Sequence, residues 1–351
     1  MHLTAAQSLG VCQPGSYRWF TAAQARACAF DLKHKLLGKR ERAEIKTKLG
    51  LLLATNPSLM PEMANITDGG EGLWREAMVD DVTYADPFIL MAEKLKMNQK
   101  YFEARKLIEE ALAQNPRDSR LLAMAAVNSA IEHDFARVQD FCKTMETGDH
   151  IDFAAFADCG GATWRAGDQK RAEYFFRRAD EKFDHWLGAR IVWYAPAAPL
   201  ATYASLLATD GQRRKAIEIL QDLEIRKPYA MEPLAYRLLG SSQEKEGLYL
   251  DAAETFKRAM DKGYSFDVPT SMIVRRITNM AKGSDASGAL ALWSKSFPKM
   301  SKREVLQVQV RLKNGLSDYK INGQPDRALE TAMRKCIADP SCFKAKRDGR
   351  L

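Results

Sequence analysis

The fold is decided by residues 200–264, which read LATYASLLATDGQRRKAIEILQDLEIRKPYAMEPLAYRLLGSSQEKEGLYLDAAETFKRAMDKGY. In the second half of this stretch, one face of a first helix carries Tyr236, Leu239, Gly240 and Gln243. A turn at Gly247 leads to a second helix, whose inner face carries Ala252, Phe256 and Ala259. The first half repeats this order with Leu200, Tyr203, Ala204 and Leu207, a turn at Gly211, and then Ala216, Leu220 and Leu223. The stretch therefore predicts two consecutive helical hairpins.

The same template extends towards the N-terminus. Further hairpins are predicted to begin near Ala85, Ser119 and Phe153, with a spacing of 34 residues. The first of them has apolar stripes at Phe88, Met91, Ala92 and Leu95 and then at Tyr101, Ala104, Ile108 and Ala111. Asn115-Pro116 ends its second helix, since the residue before a proline avoids helical geometry. The unit from Ser119 is degenerate, and the unit near Ala197 begins ten residues later than the period predicts.

This pattern is similar to the tetratricopeptide repeat, a 34-residue helix-turn-helix with large, large, small and large residues on its first helix. The resemblance implies an all-α, right-handed superhelical solenoid with degenerate terminal hairpins. We divide the chain into an N-terminal helical cap region (1–84), a clear repeat array (85–264), and degenerate C-terminal helical repeats with a tail (265–351). In the last region we expect decayed hairpins over residues 265–298 and 301–338.

Composition and charge fit a helical protein. The chain of 351 residues is 46% hydrophobic, and its formal net charge is +8. A solvated basic surface explains that charge, and nucleic-acid or anionic-membrane binding stands as an alternative. Nucleic acid is the less favoured partner, because dense Lys/Arg runs with stacking aromatics are missing. No apolar stretch is long enough for a transmembrane helix, and residues 1–4 show no signal peptide.

The six cysteines leave two interpretations open. Cys142 and Cys159 fall on core positions of predicted helices, where free thiols act as small hydrophobic groups. Possible disulfides join Cys12 to Cys28 and Cys336 to Cys342, since each pair spans a possible turn. Such disulfides would indicate an oxidising compartment, whereas six reduced thiols would fit the cytosol. A cytoplasmic and a periplasmic location are therefore both expected possibilities.

Binding positions follow from the resemblance. It implies that first helices line a concave groove and that the partners are peptides or protein segments. The family's lysine-asparagine clamp for a peptide carboxylate is absent, because the corresponding places hold Ile89/Glu93, Ala157/Gly161, Ala201/Ser205 and Arg237/Ser241. Trp164 and Arg165 form the most promising pair, since aromatic and arginine side chains dominate interface energetics. The alternative is that Trp164 packs on the adjacent hairpin. Arg237 and Glu244 complete the expected groove residues.

The ten additional residues that separate the unit beginning near Ala197 from the preceding unit are rich in large side chains. We include Trp186, Arg190, Trp193 and Tyr194 among the candidate partner-binding residues. If exposed, this segment forms an apolar patch, and if buried, it fills the groove or reshapes the superhelix.

Enzymatic motifs are not found. The five histidines belong to no HExxH motif, and the sequence has no phosphate-binding glycine loop or nucleophile elbow. The acidic loop at residues 65–72 lacks the ligand spacing of an EF-hand, so no metal and no cofactor is expected.

The sequence predicts a non-enzymatic scaffold for a protein partner, and the alternative is a periplasmic or secreted bacterial envelope module that binds polysaccharide. Nucleic-acid binding through the basic surface is a further alternative.

Overall fold

The computed structural model describes residues 22–34, 36–55, 70–183, 198–264, 269–300, 302–313 and 321–343. Within these ranges the chain forms seventeen α-helices, two short 3₁₀ helices and no β-strand. It divides into two compact units, residues 1–199 and residues 200–351. The all-α class predicted from the sequence is confirmed over the described part of the chain.

The first unit contains nine of these helices. They are α1 (Ala22–His34), α2 (Lys39–Thr55), α3 (Glu71–Asp80), α4 (Ala85–Met97), α5 (Tyr101–Gln114), α6 (Ser119–Ile131), α7 (Phe135–Met145), α8 (Phe153–Arg165) and α9 (Gln169–Phe183). The first helices of three hairpins thus begin at Ala85, Ser119 and Phe153, as the 34-residue spacing predicts. Each packs against the helix that follows it.

The second unit continues the alternation. It contains α10 (Pro199–Thr209), α11 (Arg213–Arg226), α12 (Pro233–Lys245), α13 (Tyr249–Asp261), α14 (Pro269–Lys282), α15 (Ala286–Ser296), α16 (Lys302–Lys313) and α17 (Arg327–Ala338). The 3₁₀ helices are Phe297–Lys299 and Pro340–Cys342. The hairpin expected over residues 265–298 corresponds to α14 and α15, and the one over residues 301–338 to α16 and α17.

One turn geometry joins the two helices in five of the described hairpins. The turn residue is in the left-handed region at Gln99, His133, Gly167, Gly211 and Gly247, with φ between 61° and 85°. The next amide donates a hydrogen bond to the carbonyl five residues back, as Leu248 does to Gln243 at 2.9 Å. This is the Schellman arrangement that satisfies the last carbonyls of a helix.

Small residues on the first helices let the two helices of a hairpin approach closely. A Cβ added at Gly160 would lie 2.9 Å from the Phe176 ring, and one at Gly240 would lie 2.6 Å from the Phe256 ring. Both rings are fully buried. The two glycines therefore occupy the same packing position in different units, as the repeat pattern predicts.

Polar contacts repeat with the same period. The Arg258 guanidinium donates to both carboxylate oxygens of Glu224, at 2.8 and 3.0 Å, and Lys262 donates to the Pro228 carbonyl at 3.1 Å. Each pair is separated by 34 residues. In the first unit, Arg120 contacts Asp86, also 34 residues away, at 2.5 Å. Equivalent positions of successive hairpins are thus neighbours, as expected for stacked helical hairpins with a 34-residue repeat.

Two disulfides link described cysteines. One joins Cys142 in α7 to Cys159 in α8, with Cα atoms 5.7 Å apart, and the other joins Cys336 to Cys342, with Cα atoms 5.4 Å apart. Interpreting Cys142 and Cys159 as free buried thiols was therefore wrong. Periodicity placed both on core faces, but it did not show that these faces meet across a hairpin boundary. Cys28 is also disulfide-bonded, whereas Cys12 lies outside the described residues, so the Cys12–Cys28 pairing stays a prediction.

Candidate functional site

The candidate site of the first unit is one face of α8, here called the α8 stripe and formed by Ala154, Ala157, Asp158, Gly161, Trp164 and Arg165. These positions recur every three or four residues and therefore share one side of the helix. All of them are at least partly exposed, whereas Phe156, Cys159, Gly160 and Thr163 on the other side are buried. A Cβ added at Gly161 would meet no atom within 4 Å, so the surface above this residue is open.

The structure brings Trp164 and Arg165 together at the C-terminal end of the α8 stripe. Trp164 is half-buried and makes local contacts, so part of its indole packs on the protein and part faces solvent. Arg165 is exposed, and its guanidinium makes no ion pair with any residue in the described ranges. An amphipathic ring beside a free guanidinium is a chemical arrangement that suits protein recognition. Both residues remain predicted binding residues.

The second unit places Arg237 and Glu244 differently. Arg237 is exposed on α12, whereas the Glu244 carboxylate accepts hydrogen bonds from Arg275 and, at 2.8 Å, from Asn279 on α14. Arg275 also donates to Ser241 at 2.9 Å and lies 4.4 Å from the Phe256 ring centroid. Glu244 therefore joins two adjacent first helices and is engaged within the chain.

A partly buried polar network links α12 to α11 and α13. The Tyr236 hydroxyl donates to Glu224 at 2.8 Å, and the same carboxylate accepts from Arg258. Burial raises the pKa of Tyr236, and the hydrogen bond to Glu224 raises this pKa further. The phenol therefore stays protonated and acts as a donor at neutral pH. The network fixes the position of α12, while the Arg258 side chain at its edge is 37% exposed.

Four further candidates, Trp186, Arg190, Trp193 and Tyr194, lie outside the described residues. Their binding role stays a prediction. In the part of the chain that the structure describes, no group of three His, Cys, Asp or Glu side chains could hold a metal ion. No described helix is long and apolar enough to cross a bilayer.

Two surface features were not anticipated from the sequence. Phe102 is 67% exposed and lies under the Arg105 guanidinium, 5.2 Å from the ring centroid, at the turn edge of the first repeat hairpin. The sequence contains a related signal, since Tyr101 and Phe135, which are 34 residues apart, place exposed aromatic rings at the starts of two second helices. The second feature is charge. Residues 200–351 contain 27 Lys and Arg against 18 Asp and Glu, a net charge of +9, whereas residues 1–199 contain 26 against 27.

Comparisons with known proteins give matches only among solved structures. No family model matches the chain, and no curated protein matches it. Yeast Tom70 aligns with a TM-score of 0.48 and 14% identity over 80% of this chain and 55% of that chain. A tetratricopeptide repeat protein from Parabacteroides merdae aligns with a TM-score of 0.46 and 12% identity over 73% and 92%. YrrB, described as having an unusual peptide-binding site, aligns with a TM-score of 0.34 and 15% identity over 54% and 91%.

Proposed function

We propose that this array of tetratricopeptide-type hairpins is a non-enzymatic scaffold that binds a segment of a partner protein on the α8 stripe. The observation that carries the proposal is the open surface at Gly161 beside the half-buried indole of Trp164 and the guanidinium of Arg165, which has no ion-pair partner within the described ranges. No other exposed helix face described in the first unit combines these three properties.

The chemistry of the stripe fits a polypeptide ligand. Ala154, Ala157 and Gly161 have little or no side chain, so the backbone of a partner segment can approach α8 closely. Trp164 then provides a large apolar contact at low entropic cost, and Arg165 provides directional donors for carbonyl or carboxylate oxygens. Few polar atoms have to be desolvated along this path.

The test is affinity capture from the native host, followed by mass spectrometry. Wild type is compared with the Trp164→Ala/Arg165→Ala double variant. We expect a partner that wild type retains and the double variant loses, with an affinity decrease of about tenfold or more for two hot-spot side chains. Unchanged retention of every captured protein by the double variant would exclude the α8 stripe as the binding site.

A matched control separates binding from folding. The Phe102→Ala/Lys170→Ala variant also removes one exposed aromatic ring and one exposed cation from the first unit. We expect it to retain the partner as wild type does. Both variants should keep the helical circular dichroism and the melting temperature of wild type within a few degrees.

The second candidate is a secreted or periplasmic module that binds envelope polysaccharide. It is favoured by the observation that all five cysteines in the described ranges are disulfide-bonded. Disulfides persist in oxidising compartments and are rare in the cytosol. Under this hypothesis the cationic second unit would contact an anionic glycan.

Thiol counting tests this second candidate directly. Protein purified from its native host without reductant is denatured and titrated with a thiol reagent under anaerobic conditions. The hypothesis predicts no reactive thiol among the six cysteines of the chain. Detection of Cys142 and Cys159 as free thiols would remove its support, whatever the result of the capture experiment.

A further inference from the structure

The positive charge of the second unit is concentrated on first helices. The helices α12 and α14 contain five basic residues and one acidic residue, namely Arg237, Lys245, Arg275, Arg276 and Lys282 against Glu244. The second helices α11 and α13 contain six basic and six acidic residues, so their charges balance. Because the contacts of Arg275 with Ser241 and Glu244 hold α12 and α14 side by side, the excess charge lies on one side of this unit.

One acidic residue does not cancel this excess. The carboxylate of Glu244 is neutralised by Arg275, whose side chain is only 15% exposed. Arg237 and Lys245 are exposed, and neither has a carboxylate partner in the described part of the unit. Lys282 lies 5.4 Å from the Tyr249 ring centroid, also without a described carboxylate. At least these three cations are therefore available to a ligand.

Apolar side chains alternate with these cations along α12. Leu234, Arg237, Leu238, Ser241 and Lys245, here called the α12 face, share the solvent side of the helix because they recur every three or four residues. Leu234 is 60% exposed, and Leu238 is half-buried. A ligand lying on the α12 face would thus meet leucine and cation in turn.

The α12 face lacks the groups that bind nucleic-acid bases. The tyrosines of α10 and α12, Tyr203 and Tyr236, are 1% and 0% exposed, so neither offers a ring for stacking. Single-strand binders depend on such rings. Exposed leucine beside arginine instead suits a polypeptide in which carboxylates alternate with apolar residues.

We propose that the α12 face binds an acidic, leucine-containing segment of a protein partner, as a second site separate from the α8 stripe. The proposal rests on the proposed function for the class of partner, but it uses other residues. From Leu234 to Lys245 the helix rises about 16 Å at 1.5 Å per residue. About five residues of extended chain span this distance.

The probe is a fluorescein-labelled peptide with the sequence Glu-Leu-Glu-Glu-Leu-Glu-Glu-Leu, and its binding is measured by fluorescence anisotropy. We expect the Arg237→Glu/Lys245→Glu variant to bind this peptide about tenfold or more weakly than wild type. We also expect a peptide with Gln in place of every Glu to bind wild type at least about tenfold more weakly than the acidic peptide.

The control is Arg327→Glu/Lys335→Glu in α17. Both residues are exposed and lack described carboxylate partners, so this variant makes the same charge change elsewhere in the same unit. We expect its affinity for the peptide to stay within about twofold of wild type, because neither residue belongs to the α12 face. Equal losses in the two variants, or no binding of the acidic peptide to wild type, would overturn the proposal.

Further measurements separate the hypotheses. Tighter binding of a single-stranded or duplex oligonucleotide, or of a sulfated glycan, than of the peptide would overturn the proposal in favour of a general polyanion surface. The Trp164→Ala/Arg165→Ala variant should bind the acidic peptide as wild type does. If it instead loses the peptide while the α12 variant keeps it, the α12 face is excluded and the α8 stripe is supported.

Discussion

The two units of the chain are built on one template but carry different surfaces. Gly160 packs on Phe176 in the first unit as Gly240 packs on Phe256 in the second. Yet the exposed side of α8 combines small side chains with an indole, whereas the exposed side of α12 alternates leucine with cations. The residues that make the hairpin are confined to the inner faces, so the outer positions of each first helix are free to change. Surface chemistry in this array therefore differs from one hairpin to the next.

The largest expected effect concerns the disulfide that crosses a hairpin boundary in the first unit. Replacing Cys142 and Cys159 by Ala should destabilise this unit by about 3 kcal/mol, because the bond closes a loop in the unfolded chain. Hydrogen exchange should then accelerate in α7 and α8. Exchange in α12 and α13 serves as the internal control, and equal acceleration there would show that the two units do not respond separately.

The paired glycines test whether the units share one packing rule. Gly160→Ala and Gly240→Ala should each lower the free energy of unfolding by about 1–3 kcal/mol, since the added methyl group meets a buried ring. Gly161→Ala should instead be neutral or stabilise by up to about 1 kcal/mol, because its position is open and alanine favours helix. Chemical denaturation of the three variants measures these changes. A destabilising Gly161→Ala would contradict the open surface on which the α8 stripe depends.

The hairpin turns differ in residue type but not in conformation, and both units contain both types. Gln99, His133 and Ser284 have φ of 61°, 62° and 69°, whereas Gly167, Gly211 and Gly247 hold the equivalent places in other hairpins with φ between 78° and 85°. A non-glycine residue in the left-handed region lowers the free energy of unfolding by about 1 kcal/mol. Gln99→Gly should therefore stabilise the first unit by about this amount, and Gly247→Ala should destabilise the second unit similarly, as measured by thermal unfolding. No change in either variant would contradict the shared turn geometry.

The smallest effect concerns a helix cap in the second unit and its pH dependence. Asp326 accepts a hydrogen bond from Asn322 at 2.7 Å and one from the Leu329 amide at 2.8 Å, and these bonds lower the pKa of its carboxyl group. A lowered pKa in the folded state contributes stability at neutral pH, and this contribution is lost as the pH falls below the usual aspartate range. Asp326→Ala should cost about 1 kcal/mol at pH 7 from the lost cap.

The pH dependence provides the control for that prediction. Wild type and Asp326→Ala should converge in melting temperature as the pH is lowered towards the acid limit of folding. A difference that stays constant over this range would indicate that the carboxylate charge plays no part in the cap.

Much of the fold could be predicted because it depends on local spacing. The starts of α4, α6 and α8 follow from a 34-residue period of large and small residues, and the left-handed turn residues follow from Gly167, Gly211 and Gly247. The Cys142–Cys159 disulfide could not be predicted in this way, since it depends on how two hairpins face each other. The ion pair of Glu244 with Arg275 also joins two hairpins, and residues 265–298 match the template too poorly to place Arg275.

The candidate site was predictable only in part. The resemblance implied that Trp164 and Arg165 occupy non-core positions of a first helix, and the structure places both at least partly in contact with solvent. The open space above Gly161 could not be read from the sequence, because a glycine next to Gly160 in a helix can equally mark a close contact. The residues of the α12 face can each be identified in the sequence. The excess of positive charge, however, belongs to α12 and α14 together, and it depends on which residues form first helices and which form second helices.

The Cys142–Cys159 bond also sets how the chain responds to force. A stack of hairpins pulled from its two ends is expected to unravel one hairpin at a time and to release its whole contour length. The disulfide spans 17 residues, and at about 3.5 Å per residue it withholds about 60 Å of extension. The oxidised chain, when stretched, therefore keeps a closed loop across the boundary between α7 and α8, and only reduction releases it.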